Sequence, residues 1–142
     1  MPLSRSELLE YLGKRRYCVQ ATVAPGGAPQ AAVVGFAVSD ELEIVFDTLA
    51  STRKCKNLRR DGRIALVVGV GEDERTAQIE GTADEPTGAE LERLKAVYFA
   101  AFPDGVERLK WEGITYFRVR PTFVRFSDFA HPGGPRIEEL TF

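Results

Sequence analysis

The sequence predicts a mainly β chain of the α+β type: a small antiparallel barrel of six or seven strands with short flanking helices. Three observations carry this. Alternating or continuously apolar runs recur at 17–24, 30–38, 42–48, 63–70, 75–84, 114–121 and 122–129. Most are joined by turns too short for parallel crossovers. Several are apolar on both faces, and closing a sheet into a barrel covers such strands and removes exposed edges. An open sheet with helices on one face is the main alternative.

The elements follow in order. Ser4-Arg5-Ser6-Glu7 is a capping-box pattern, and Leu8, Leu9, Tyr11 and Leu12 follow at helical spacing, giving a helix over 5–15 that ends in Lys14-Arg15-Arg16. Strands 17–24, 30–38 and 42–48 form an antiparallel meander around the turns at 25–29 and Ser39-Asp40-Glu41. Residues 51–61 read as a helix with Gly62 as its stop. Strands 63–70 and 75–84 flank a turn at Gly71–Glu74. Thr87-Gly88-Ala89-Glu90 is a second capping box, followed by Leu91, Leu94, Val97, Tyr98 and Ala101 on one helical face. Pro103 breaks that helix, a short helical turn covers Val106–Trp111, and two more strands complete the set before a tail carrying His131-Pro132-Gly133-Gly134-Pro135.

The chain has 142 residues with 44% hydrophobic content, which suits one domain over 1–142. Nineteen Lys and Arg against 21 Asp and Glu give a net charge of −2, unlike the strongly basic balance of a nucleic-acid binder. Two cysteines and one histidine provide no disulfide framework and no His-rich metal site. No apolar run approaches the roughly 20 residues of a membrane-spanning helix, and no export signal is visible, so a cytoplasmic protein without membrane contact is expected. No Gly-x-Ser-x-Gly elbow or other catalytic constellation appears, leaving catalytic residues unassigned.

The most informative segment is Phe46-Asp47-Thr48-Leu49-Ala50-Ser51-Thr52-Arg53-Lys54. A strand ends, a hydroxyl-rich turn follows, and a helix opens with two cations. Helix N-termini favour anions, so Arg53 and Lys54 weaken an isolated helix by a few tenths to about 1 kcal/mol each. An anion at the helix start removes the conflict: Ser51, Thr52, Arg53, Lys54 and free N–H groups would cradle a phosphate. The bland alternative is a solvated basic helix. On the strand 75–84, Gln78 and Glu80 face opposite to Ala77, Ile79 and Gly81; Gln78 offers hydrogen bonds to a polar ligand beside the helix start, and the bland alternative, commoner for a half-exposed strand position, is a solvated glutamine.

Together these segments resemble the pyridoxamine 5′-phosphate oxidase-like superfamily of FMN-binding split β-barrels. The order is a hairpin Gly27-Ala28-Pro29-Gln30, a strand into Val45-Phe46-Asp47-Thr48, then Ser51-Thr52-Arg53-Lys54. A helix with Asn57-Leu58, the strand Ile64–Val68, Gln78-Ile79-Glu80-Gly81 and the segment 116–126 complete it. The resemblance implies a Greek-key-like split barrel that forms a homodimer with FMN in a groove between subunits. Carried over by position, Arg53 and Lys54 grip the phosphate, and Thr48, Ser51 and Thr52 add hydrogen bonds. Gln78 approaches the flavin, and the strand Ala32–Phe36, with Val33, Val34 and Gly35, lies along the isoalloxazine.

The chain departs from true pyridoxamine phosphate oxidases. Apolar Ala31-Ala32-Val33-Val34-Gly35 replaces a basic strand motif, Phe126-Ser127-Asp128 replaces Phe-Trp-Gln, and Arg136-Ile137-Glu138-Glu139-Leu140 replaces Arg-x-His-x-Arg. The expectation is therefore an FMN-dependent oxidoreductase on another small molecule. Alternatives are an F420-binding reductase of the same fold, a non-catalytic flavin- or haem-binding protein, and a barrel binding nucleic acid through the basic helix. His131 reads as a surface residue, Trp111 and Phe123, Phe126 and Phe129 as core or dimer contacts, and Cys55 as a small core residue. The basic neighbourhood of Cys55 is expected to lower its pKa.

Overall fold

The computed structural model describes residues 2–142. Eight antiparallel strands form one sheet: β1 (Tyr17–Val23), β2 (Pro29–Gly35), β3 (Ala37–Val38), β4 (Ile44–Leu49), β5 (Arg63–Val68), β6 (Arg75–Asp84), β7 (Ile114–Asp128) and β8 (Arg136–Thr141). Their order is β2-β1-β5-β6-β7-β4-β3, with β8 added to β7. The outermost strands, β2 and β3, are successive segments of one chain run joined at Phe36. The wall thus closes through the backbone, giving the barrel anticipated from sequence in place of an open sheet.

The expected strand 30–38 is two strands because its ends pair with different neighbours: β2 with β1, and β3 with β4. Between them the Phe36 side chain is buried and its N–H bonds the Arg16 carbonyl at 2.9 Å. The two expected strands at 114–121 and 122–129 are instead one, β7. Its register with β6 shifts between Glu80 and Gly81, opposite Pro121 and Phe123. Pro121 is tolerated at that bulge, where the ladder is already interrupted. A Cβ on Gly81 would collide with the Arg120 carbonyl, so the bulge also needs this glycine. The tail read as Pro/Gly-rich loop contains β8, which pairs with the second half of β7.

Three α-helices flank the sheet: α1 (Arg5–Gly13), α2 (Arg53–Arg60) and α3 (Gly88–Ala101), followed by a 3₁₀ helix at Pro103–Lys110. Ser4 caps α1, its Oγ accepting from the Glu7 N–H at 3.1 Å, but the Glu7 carboxylate turns to Arg136 instead of closing the box. The second box does not form: Thr87 is the N-cap of α3 without a side-chain capping bond. Gly62 is not a left-handed helix stop either. The residue capping α2 is the extended Asp61, and Gly62 is needed because a Cβ there would lie 2.8 Å from the Ala83 carbonyl oxygen.

The main core fills the barrel and includes Leu8 and Leu12 of α1, Cys18, Phe36, Phe46, Leu66, Ile79, Phe117 and Val124. A second cluster, Val45, Leu94, Tyr98, Phe102 and Tyr116, seats α3 outside β4 and β7. Ion pairs reinforce that seat: Arg118 bonds Asp84 at 2.7 Å and Glu90 at 2.9 Å, and Arg93 bonds Glu43 at 2.9 Å.

The outer face of the sheet carries two rows that run across strands. Val33, Val19 and Val67 align on β2, β1 and β5, followed by Gln78 and Arg125. Beside them run Ala31, Ala21 and Ala65, then Glu80 and Phe123. Val33 is 65% exposed and Val67 39%, so this single chain leaves an apolar surface on water.

Candidate functional site: an anion cradle at the start of α2

β4 delivers Thr48 and Leu49 to a short turn, and α2 begins four residues later. Thr52 caps the helix, its Oγ1 accepting from the Cys55 N–H at 3.4 Å. Thr52 donates its own proton to the Leu49 carbonyl at 2.8 Å. Each hydroxyl has one proton, so Thr48, 3.0 Å from Thr52, is the donor of that pair, and it accepts from the Lys54 ammonium at 3.4 Å. A directed chain results, from Lys54 through Thr48 and Thr52 to the backbone. It fixes the Lys54 stem and leaves two of its three N–H donors for a ligand.

These residues border a cavity of about 350 Å³ lined by Gln20 and Thr22 of β1, Gln30, Ala31 and Ala32 of β2, and Ser51, Thr52, Arg53 and Lys54. Asn57 holds the two walls together from inside α2: its Nδ2 donates to Thr22 Oγ1 at 3.0 Å and to Gln30 Oε1 at 2.9 Å. A guanidinium N–H of Arg60 also reaches the Val23 carbonyl. The middle and end of α2 are thereby pinned against the hairpin β1-β2.

The two cations at the helix start lack acidic neighbours, as do Arg5, Arg16, Lys56 and Arg60 among the described residues. Among the described residues, neither Arg53 nor Lys54 has a carboxylate within ion-pair distance, whereas Arg59, Arg63, Arg93, Arg108, Arg118 and Arg136 all do. Partial burial pushes the Lys54 pKa down. In the first helical turn the Cys55 N–H goes to Thr52 Oγ1 and the Lys56 N–H to the Thr52 carbonyl at 3.2 Å, which leaves those of Arg53 and Lys54 without an intrahelical acceptor. On the opposite wall Gln20 is 1% exposed, and its inaccessible Oε1 has no hydrogen-bond partner among the described residues. Cations and hydroxyls of Ser51, Thr52, Arg53 and Lys54 thus gather at one end of the cavity.

The structure therefore brings together Thr48, Ser51, Thr52, Arg53 and Lys54. It does not bring Gln78 to the same cavity: Gln78 stands exposed on the outer face of β6, between Val67 and Arg125. Of the β2 residues, Val34 is buried inside, Val33 faces outward, and a Cβ on Gly35 would lie 2.8 Å from the Phe102 ring. Ala31 and Ala32 line the cavity in their place. Sequence reasoning missed Gln20, Gln30 and Asn57. The available signal was the alternation Cys18, Gln20, Thr22, which places Gln20 on one face with two other small or polar residues.

Cys55 is fully buried in the core as expected, but burial raises its pKa, overriding the cations that were expected to lower it. The same cause takes the Cys18 thiol to about 12. His131 is exposed, with Nδ1 3.9 Å from an Asp128 carboxylate oxygen. Phe126 is core, while Trp111 and Phe129 are more than half exposed. Among the described residues no group of His, Cys, Asp or Glu could hold a metal ion, and no helix is long and apolar enough to cross a membrane.

The chain is a split antiparallel barrel in which a helix opening on Arg53 and Lys54 leaves the fourth strand. Residues 4–126 match the family model described as pyridoxamine 5′-phosphate oxidase, and the chain belongs to this family. A curated relative, pyridoxine/pyridoxamine 5′-phosphate oxidase of Rubrobacter xylanophilus, is 37% identical over 93 residues, covering 66% of this chain and 41% of its own length. The chain thus spans well under half of that relative. Among solved structures, a heme binding protein from Mycobacterium smegmatis superposes with a TM-score of 0.82 at 20% identity, over 99% of this chain and 59% of that one. A pyridoxamine 5′-phosphate oxidase-related, FMN binding protein from Nostoc punctiforme superposes at 0.69 and 14% identity, over 100% and 99%. At these identities the structural matches establish the shared fold.

Proposed function

We propose that this chain binds FMN through its phosphate at the start of α2 and, as a homodimer, serves as an oxidoreductase on a small molecule other than pyridoxamine phosphate. The observation that carries the reading is the pair Arg53 and Lys54, both without a carboxylate partner among the described residues and both beside a polar cavity. Arg53 offers a bidentate guanidinium, Lys54 two free N–H donors, and Ser51 a hydroxyl at the rim. Bound flavin supplies hydride or electron transfer, so the protein's work is positioning. That agrees with a cavity without an acid–base pair. It also carries no His, Cys, Met or Tyr, the usual haem ligands, which favours a flavin over haem.

The apolar rows on the outer face support the dimer. Val33, Val19 and Val67 lie beside Gln78. A second copy covering these rows brings Gln78 to the joint between subunits, where it approaches the partner's flavin instead of its own.

The test is the absorption spectrum of the protein as purified, followed by flavin titration. A yellow protein that releases FMN on denaturation supports the reading; a response to F420 alone, or a Soret band, replaces it. Arg53→Ala removes a charge-assisted contact worth about 1.5–3 kcal/mol, so FMN affinity falls roughly ten- to a hundredfold. An unchanged dissociation constant rejects the phosphate site.

A further inference from the structure

Lys54 differs from the other lysines in what surrounds it. Lys14 bonds Glu10 at 3.1 Å, Lys95 bonds Glu92 at 3.0 Å and Lys110 bonds Glu107 at 2.9 Å, while Lys56 is exposed to water. Lys54 is instead half-buried on the wall of a cavity of about 350 Å³, in the first turn of α2, with Arg53 on the same wall. Among the described residues it has no carboxylate within ion-pair distance. A neighbouring cation, a helix N-terminus and partial loss of water all favour the neutral amine over the ammonium ion. Burial accordingly pushes the Lys54 pKa down. Such surroundings turn a lysine into a nucleophile. The polar side chain it does bond is a hydroxyl, Thr48 Oγ1 at 3.4 Å. A neutral amine gives that oxygen one N–H and keeps its lone pair for a ligand.

We infer that Lys54 forms a reversible imine with short phosphorylated aldehydes, whose phosphate is held by the Arg53 guanidinium and the Ser51 hydroxyl on the same cavity wall. This carbonyl-capturing activity shares with the flavin reading the anion-binding role of Arg53 and does not require the flavin. In the step, the Lys54 nitrogen bonds to the carbonyl carbon, the C=O π bond breaks, and a proton passes from nitrogen to oxygen to give a carbinolamine. Its hydroxyl then takes a proton from solvent and leaves as water while the nitrogen lone pair closes the C=N bond. Nothing is oxidised or reduced. The iminium product keeps one N–H, and Thr48 Oγ1 is there to accept it, so the contact that orients the free amine also orients the adduct. About 350 Å³ is the small end of ligand clefts and encloses a three-carbon phosphate whole.

The experiment uses the full chain, freed of any bound flavin, with two probes: glyceraldehyde 3-phosphate and, lacking the phosphate, glyceraldehyde. Sodium cyanoborohydride fixes the imine as a secondary amine, and peptide mass spectrometry locates it. The expected result is labelling of Lys54 by the phosphorylated probe roughly tenfold above that of Lys56, and roughly tenfold above that of Lys54 by glyceraldehyde at the same concentration. Excess inorganic phosphate suppresses it. Arg53→Ala lowers the labelling of Lys54 roughly tenfold and leaves that of Lys56 unchanged. Equal labelling of Lys54 and Lys56, equal labelling by the two aldehydes, or labelling of Lys54 that survives both phosphate and Arg53→Ala overturns the inference. Titration of the same preparation with FMN keeps the two readings apart. A protein that binds FMN but is not labelled at Lys54 overturns this inference alone; one that is labelled there but binds no FMN overturns the flavin reading alone.

Discussion

Asn57 offers a demanding test of how the cradle is built. It is 3% exposed and is the donor for both Thr22 Oγ1 and Gln30 Oε1. Asn57→Leu keeps the branching and the number of side-chain heavy atoms, at a larger volume, and removes both bonds. Gln30 is half-buried and can turn to water, so its loss is small. Thr22 is 2% exposed, and its oxygen loses the amide donor in a dry site, at about 1–3 kcal/mol. Apolar burial of the leucine offsets part of this. The net expectation is a loss of about 2 kcal/mol, or about 8 °C in Tm for a chain of this length. Thermal unfolding followed by circular dichroism measures it. The double variant with Thr22→Val separates the bond from the packing, because the valine has no acceptor left to strand. It should be less destabilised than the sum of the single changes by about 1 kcal/mol. Additive single effects would refute the claim that this hydrogen bond joins α2 to the hairpin.

Two further outcomes are expected. Glu43 is held below the ordinary carboxylate range, chiefly by hydrogen bonds from Arg93, and Asp84 likewise by Arg118. Depressed carboxyl groups add stability above their unfolded pKa of about 4 and lose it as pH falls through the folded value. Tm should therefore drop between about pH 5 and pH 3, and Glu43→Gln should flatten that slope; a slope identical to the parent's would mean that Glu43 plays no part in it. Val33→Asp places a charge in the exposed apolar row, so sedimentation should show monomers in place of dimers, with weaker FMN binding. A variant that stays dimeric puts the interface elsewhere.

The barrel class, its antiparallel turns and the helix carrying Arg53 and Lys54 were legible because alternation, turn residues and a misplaced pair of cations are local signals. What failed was also local. Pro121 looked like a strand end, yet it sits in a bulge where a missing N–H costs little. Arg136–Thr141 looked like tail because a Gly-Gly-Pro run precedes it and its alternation is weakly apolar; pairing with β7 makes it a strand. The deepest ambiguity was in Tyr17–Val23. Alternation shows that Cys18, Gln20 and Thr22 oppose Val19, Ala21 and Val23, but not which row faces inward. The more apolar row faces outward here, and that inversion hid Gln20. Gln78 shows the complementary limit: its place on an exposed strand face was legible, but its distance from the cavity at the start of α2 was not.

The junction at Phe36 has a mechanical consequence. Around most of the cylinder, parting neighbouring strands means breaking a ladder of amide bonds. Between Gly35 and Ala37 the circumference is spanned by covalent chain, and the gap is stopped by the ring of Phe102, itself stacked on Tyr98 and roofed by the Arg16 guanidinium 4.4 Å away. Here the cylinder is held shut by an aromatic stopper and by the Phe36 N–H bond to the Arg16 carbonyl in place of a ladder.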